Sequence, residues 1–530
     1  MPPISTLIQK AIAVVSTEGI GGIRGRLVSS SRRRRENRLY RRWIRDRERV
    51  ATQQDADALG SGPLISILLP VYDVEPQYLR SCIDSVIGQR YRNWELCIAD
   101  DRSTRKDIAP LLGAYEAADD RVKVIFREEN GHISAASNTA LEMASGEFCV
   151  LLDHDDLLAA DALYWVARTL NKHPEAGLIF SDEDLIDGSG RRFAPKFKPD
   201  LSRDLMLSLN QVTHLSAFRT ELIRDVGGFR IGYEGSQDHD LSLRILERLD
   251  DDKVIHIPRV LYHWRVLPSS VASDLNAKPY ALDNARRAIA DHLERTSRAA
   301  TVEAAYGGLH RVRYSASGDE PTFALIHSDR GPAELNDAAA AAKGEVLVFL
   351  DPSLRKNLPD AIRELVLIAA APGVGAAGGK IVDGKGRTVG GALFAGVDGA
   401  AAIAHYGYYR HEPGNMFRNR LIGNFSAVSI RSMAIRRDVF LSVGGFDAET
   451  FSTGLFDVDL CLRLGERGLR IVHDPHAEFS GEDLGRMISS TDDSIRAFEK
   501  RWGRFKYKDP FYNPAFDRSG RLDIDPTPRS

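Results

Sequence analysis

The sequence predicts an α/β protein: a mostly parallel sheet with helices on both faces, followed by a second, truncated unit of the same kind. Three observations carry this. From about residue 63 short apolar runs alternate with segments of helical period, each apolar run ends in polar or acidic residues, and part of the pattern occurs twice. Strands alternating with helices argue a parallel sheet, and right-handed crossovers gather successive strand ends along one edge.

The first strand is "LISILLPVY", and the helix "PQYLRSCIDSVIGQ" follows with Leu79, Cys82, Ile83 and Val86 on one face. "WELCIADD" is the second strand, succeeded by a helix near Asp107 to Ala118, the strand "VKVIFRE", the helix "ISAASNTALEMAS" and the strand "EFCVLLD". The rim formed by their ends carries Pro70, Tyr72 and Asp73, then Asp100 and Asp101, then Arg127 to Gly131 with Asn130 between, and finally Asp153 to Asp156 in "CVLLDHDDLL". Ligands of open α/β sheets sit beyond the carboxyl ends of the strands, so this rim is a site. A single acidic turn could instead cap the next helix. Neither a GxxxxGK[ST] nor a GxGxxG loop is expected to hold phosphate, and a polyphosphate facing this many acids requires a divalent cation between them.

A chain of 530 residues accommodates roughly two to four domains. With 71 Lys and Arg against 74 Asp and Glu, the net charge of −3 argues against nucleic acid as the main partner. The cysteines, Cys82, Cys97, Cys149 and Cys461, are too scattered for a disulfide framework or a zinc site, and a cytoplasmic location is the expectation. No apolar run approaches the ~20 residues of a membrane-spanning helix. The N-terminus combines an apolar helical face in "ISTLIQKAIAVVS" (Ile4, Leu7, Ile8, Ala11, Ile12, Val15) with the basic block "SRRRRENRLYRRWIRDRER". Two readings compete: residues 1–50 lie on anionic lipid at the inner face of the cell membrane, or the helix packs on the protein with its arginines in water.

The strand-end motifs "ISILLPVYD", "ELCIADDRS", "REENGHISAASNTAL", "FCVLLDHDDLL" and "VGGFRIGYEGSQDHDLSLR" resemble, in order and spacing, those of family 2 glycosyltransferases with the Rossmann-like GT-A fold, over about Pro63 to Val266. The resemblance implies nucleoside binding by Asp73, Asp100 and Asp101, with Pro70, Tyr72, Arg127 and Asn130 beside them. It also implies a Mn²⁺ or Mg²⁺ held by Asp153 and Asp155, with His263 of "LYHWR" as a third ligand. Oxygen ligands suit such a hard cation, which neutralises charge growing on a departing diphosphate. Asp238 takes the role of general base, while Gln237 stands where the family usually has Glu, at a position that orients the acceptor or shapes the turn. Asp240 and Arg244 are expected to be structural partners of that turn.

A self-comparison finds the repeat. "NDAAAAAKGEVLVFLDPSL" copies "NTALEMASGEFCVLLDHDD", and "VGGFDAETFSTGLFDVDLCLRLGERGLRIVHDP" copies "VGGFRIGYEGSQDHDLSLRILERLDDDKVIHIP". Asp351, Pro352 and Ser353 replace the metal motif, and the segment before Asn336 has room for about one strand. The second copy is therefore expected to be non-catalytic.

The domains expected are a basic helical segment at 1–60, a catalytic unit at 61–270, a helical linker at 271–322, a degenerate unit at 323–485 and a tail at 486–530. The function expected is an inverting, metal-dependent glycosyltransferase that moves a sugar from a nucleotide-sugar donor to a lipid-linked or surface-polysaccharide glycan. The alternative is a non-catalytic scaffold that binds nucleotide sugar or glycan.

Overall fold

The computed structural model describes residues 31–60, 62–267, 279–485 and 490–527. It divides into two compact units, one of Arg47–Leu201 with Met206–Val312, the other of Met1–Asp46, Ser202–Leu205 and Arg313–Ser530.

The unit that begins at Arg47 is built on strands β1 (Ile65–Val71), β2 (Trp94–Asp100), β3 (Val122–Phe126), β4 (Phe148–Leu151), β5 (Leu157–Leu158), β6 (Leu178–Ile186), β7 (Arg192–Lys196), β8 (Ser216–Arg219) and β9 (Val254–Arg265). Their order is β3-β2-β1-β4-β8-β6-β9-β5, with β7 paired to β6. β1, β2, β3 and β4 run parallel, and antiparallel β8 separates them from the parallel pair β6 and β9. Every residue of β2 is buried, Glu95 against Lys123 Nζ at 2.6 Å, and Leu96 to Ala99 form its apolar run. The register sets Val71 beside Asp100 and Asp100 beside Phe126, so the first three strands end level and form the expected rim. The helix Pro76–Ile87 buries Leu79, Cys82, Ile83 and Val86, the face its period predicts. All four cysteines are buried and free.

In the other unit the sheet runs Phe323–His327, Val346–Leu350, Ser432–Arg436, Val374–Val382, Arg470–Ser480, Gly423–Asn424. Val346–Leu350 matches β4 in the repeat and is antiparallel to Ser432–Arg436, as β4 is to β8. On its other side stands Phe323–His327 alone, where β4 has β1, β2 and β3. "GVGAAG" at 373–378 spells G-x-G-x-x-G but falls on the buried strand Val374–Val382 and opens no helix.

The repeated "VGGF" has the same cause in both units. Asn138 donates from Nδ2 to Phe229 O and accepts from Phe229 N–H, both at 2.8 Å; Asn336 does so with Phe446 at 2.8 and 2.9 Å. A Cβ on Gly228 would lie 2.6 Å from Asn138 Oδ1, and one on Gly445 2.5 Å from Asn336 Oδ1, both at positive φ. Only glycine lets the backbone come this close.

The basic block forms a helix over residues 31–46. Tyr40 is fully buried, Trp43 is 7% exposed, and the rings stack 5.7 Å apart. Arg32 lies over the Tyr408 ring and 3.4 Å from Glu412. This stretch thus packs on the protein through its aromatic face. The apolar face from Ile4 to Val15 lies outside the described residues.

Candidate active site

At the end of β1, Asp73 binds the loop after β2: its carboxylate accepts from Thr104 N–H at 2.6 Å, Thr104 Oγ1 at 2.8 Å and Arg105 N–H at 3.0 Å. Burial works against ionisation, but these bonds hold the carboxyl below the ordinary range. Buried Asp100 accepts from Ser103, through Oγ at 2.5 Å and N–H at 3.1 Å. Asp101 accepts from Arg127 Nε and Gly131 N–H, both at 2.9 Å, and Asn130 Nδ2 donates to the Asp101 carbonyl at 3.0 Å. Arg127 also reaches Ala135 O and Thr139 Oγ1. Asp101, Arg127 and Asn130 therefore lock the ends of β2 and β3 to the following helix. Tyr72, 44% exposed at the end of β1, is the open aromatic surface of this rim, and Pro70 offers its carbonyl 3.2 Å from His154 Nδ1.

The acidic turn after β4 separates into two kinds of carboxylate. Asp156 is fully buried and accepts from Tyr262 OH and Arg265 N–H, each at 2.7 Å, while Arg265 Nε donates to Asp155 O at 2.6 Å. These bonds clamp the turn to β9. Asp153 and Asp155 remain half-buried at the rim. Burial pushes the Asp153 carboxyl above its ordinary range; His214 opposes this, and Asp155 and Asp238 add to it. Asp238 therefore belongs to the same electrostatic neighbourhood.

His263 pairs with Leu157, two residues beyond Asp155, and its Nδ1 lies 2.6 Å from Asp184 Oδ1. That contact leaves Nε2 as the other ring nitrogen, the carboxylate–histidine arrangement common behind metal ligands. Among the described residues, however, no three His, Cys, Asp or Glu side chains converge on one ion position. The half-buried carboxylate oxygens of Asp153 and Asp155 suit a hard divalent cation.

Asp238 stands in the first turn of the helix Gln237–Leu246. Asn210 Nδ2 donates to its Oδ2 at 2.9 Å. Asp240 is fully buried against Arg230 and Arg244, and Arg244 also donates to Val226 O at 2.7 Å and Gly228 O at 2.8 Å. Asp240 and Arg244 fasten the helix to the "VGGF" turn. In the other unit Asp459 and Arg463 repeat the arrangement, with Arg463 donating to Val443 O and Gly445 O, both at 2.7 Å.

Sequence reasoning missed three residues. Asn210 is one. His214 stacks on Tyr262 with centroids 4.5 Å apart and faces Asp153 electrostatically. Lys198, fully buried, donates to Thr213 O and His214 O at 2.6 Å, and burial lowers it to about 8 despite Glu183.

The corresponding positions of the other unit are closed. Asp351 accepts from Ser353 N–H at 2.8 Å and Oγ at 2.6 Å and from Arg431 Nε at 2.7 Å, and against burial these partners hold it below the ordinary range. Asp457 is buried, and its carboxylate accepts from Ile430 N–H at 3.0 Å and Val458 N–H at 2.9 Å.

The family model described as Glycosyl transferase family 2 matches residues 66–227, and that described as Glycosyltransferase like family 2 matches residues 323–504. The chain is similar to the uncharacterized protein y4gI of Sinorhizobium fredii, with 35% identity over 90% of this chain and 60% of that protein. It is similar to the O-antigen biosynthesis protein RfbC of Myxococcus xanthus, with 32% identity over 82% of this chain and 38% of that protein. It thus spans less than two thirds of either relative. Among solved structures it resembles the mannosyltransferase PcManGT of Pyrobaculum calidifontis in complex with GDP-Man and Mn²⁺, with 18% identity over 51% of this chain and 74% of that one and a TM-score of 0.35. With one family match on each unit of the repeat, the chain belongs to the family 2 glycosyltransferases, with two such units in tandem.

Proposed function

We propose that the unit beginning at Arg47 is an inverting glycosyltransferase acting from a nucleotide-sugar donor on a glycan acceptor, lipid-linked or part of a surface polysaccharide. The observation that carries this reading is that the half-buried carboxylates Asp153 and Asp155 follow the end of β4, while half-buried Asp238, at the start of the helix Gln237–Leu246, adds to the negative field on Asp153. Tyr72 offers a face for the nucleobase, and Asp73 and Asp100 offer acceptor oxygens to the nucleoside. Asp238 takes the proton of the acceptor hydroxyl as its oxygen bonds the anomeric carbon and the bond from that carbon to phosphate oxygen breaks. A single displacement of this kind inverts the anomeric centre. Mn²⁺ or Mg²⁺, held by Asp153 and Asp155, would offset charge on the departing diphosphate.

The unit containing Asp351 is proposed to be non-catalytic, which its single strand beside Val346–Leu350 and its Arg431–Asp351 pair support. No helix among the described residues is long and apolar enough to cross a membrane. Peripheral contact with anionic lipid through residues 1–50 is proposed on the exposed Arg33, Arg34, Arg38, Arg41 and Arg42.

The test is purified chain with a panel of nucleotide sugars, in Mn²⁺ and then EDTA. Metal-dependent binding of one donor, lost in Asp153→Ala, is expected; binding unchanged by EDTA and by that substitution would overturn the metal assignment.

A further inference from the structure

Around Asp238 the hydrogen-bond accounting does not close. Asn210 spends its Nδ2 on Asp238 Oδ2 at 2.9 Å, and this fixes which end of the amide is oxygen. Its Oδ1 is buried without a partner, and so is Oε1 of Gln237, the residue preceding Asp238. A buried acceptor without a partner forfeits its hydration, so one on the residue that binds Asp238 and another on the residue that precedes it call for an explanation. The aligned positions of the other unit, four residues before Arg431 and one before Asp457, are Ala427 and Phe456. There Asp457 is buried and satisfied by backbone N–H groups, and both amides are gone. The amide pair thus occurs where the carboxylate is half-exposed and not where it is closed.

We infer that Asn210 and Gln237 form an acceptor subsite, and that the acceptor is a sugar with a free hydroxyl vicinal to the one that attacks. This rests on the proposed function. Asp238 Oδ1 is left for the attacking hydroxyl, since Oδ2 is engaged by Asn210. The oxygens of Asn210 and Gln237 accept hydrogen bonds and donate none, so the ligand must bring donors. A vicinal hydroxyl brings one a hydrogen-bond length from the nucleophile and needs no other anchor. A polyprenyl phosphate as the attacking group suits these atoms less well, because its anionic oxygens bring no donor to Asp238 Oδ1, Asn210 Oδ1 or Gln237 Oε1.

The experiment measures binding of methyl glycopyranosides and their single-deoxy analogues to the full chain by saturation-transfer NMR, with UDP or GDP and Mg²⁺ present. The wild type is expected to bind a glycoside and to lose roughly tenfold in affinity when the vicinal hydroxyl is removed, about what one buried hydrogen bond supplies. Asn210→Ala and Gln237→Leu are each expected to lose a similar factor, and in at least one of them the deoxy analogue should bind as well as its parent. A purely structural role would leave the deoxy effect intact in both variants, and that result overturns the inference. Nucleotide binding reports folding of each variant. A wild type that binds nucleotide but no glycoside, or that is competed by a short-chain polyprenyl phosphate, overturns the subsite and leaves the donor reading standing. A wild type that binds neither overturns both.

Discussion

Arg431 sets its Nε 2.7 Å from Oδ2 of Asp351, the aspartate that the repeat aligns with Asp153. The residue aligned with Arg431 is His214, which faces Asp153. One unit therefore carries an internal guanidinium where the other leaves paired carboxylates, and the two aspartates move in opposite directions, Asp351 held down and Asp153 pushed up. A permanent cation removes the need for a metal. Titration with Mn²⁺ followed by electron paramagnetic resonance is expected to find one ion per chain. It should be lost in Asp153→Ala or Asp155→Ala and kept in Asp351→Ala. Two ions in the wild type, or loss in Asp351→Ala, would contradict the assignment.

The pairs Asp240–Arg244 and Asp459–Arg463 predict matched stability effects. Both aspartates are fully buried, and each has a second arginine, Arg230 or Arg501, about a third exposed. Asp240→Asn and Asp459→Asn should each cost about 3 kcal/mol, the low end for breaking a buried pair because the second arginine can turn to solvent. Thermal unfolding measures it, with nucleotide affinity below the transition unchanged in both. A large loss of nucleotide affinity in Asp240→Asn at full stability would give that residue a role in binding.

The first four strands were legible because each is an apolar run with a polar or acidic end, whereas β7, β8 and β9 end in Lys196, Arg219 and Arg265 and follow no such pattern; Asp240 with Arg244 was legible as an i, i+4 pair facing a buried helix. Asp156 could not be told from Asp153 by letters: one turn holds both, and only the approach of Tyr262 and Arg265 turns Asp156 inward. Asn210, His214 and Lys198 come from the segment between β7 and β8, which has no period of its own and is placed by Glu183 of β6 and the neighbouring strands. In the basic block the sequence left lipid contact and packing both open; the burial of Tyr40 and Trp43, three residues apart, gives the block a packed face.

Aligned histidines predict opposite pH responses. Burial alone would lower His256, but Asp182 and Asp200, each 3.0 Å from a ring nitrogen, push it up to about 9. Its contribution to stability is full below the unfolded value near 6.5 and is lost as pH rises towards 9. His473 is lowered to about 3 by burial and by Lys380 and Arg418, so the unfolded chain binds the proton first and stability falls as pH drops from about 6.5 towards 3. Urea unfolding at a series of pH values should show that His256→Gln destabilises most at pH 6 and least near 9.5, whereas His473→Gln flattens the acid loss. Identical pH profiles for the variants and the wild type would remove both assignments.

Asp238 and Asp457 separate turnover from architecture. Asp238→Asn keeps the size of the side chain and its place at the helix start but cannot accept the acceptor's proton. General-base removal typically costs about 10²- to 10⁴-fold, which should appear in kcat with donor affinity nearly intact. Asp457→Asn, at the aligned position, replaces one oxygen bound to a backbone N–H by an amide nitrogen that cannot accept there. It should lower the stability of its own unit and leave kcat within about twofold, because that carboxylate is buried with each oxygen bound to a backbone N–H. Transfer to the best acceptor of the panel and calorimetry with the matching nucleoside diphosphate, run on both variants, decide the matter. Full turnover in Asp238→Asn would discard it as the base, and loss of turnover in Asp457→Asn at unchanged donor affinity would return the catalytic role to the unit that carries Arg431.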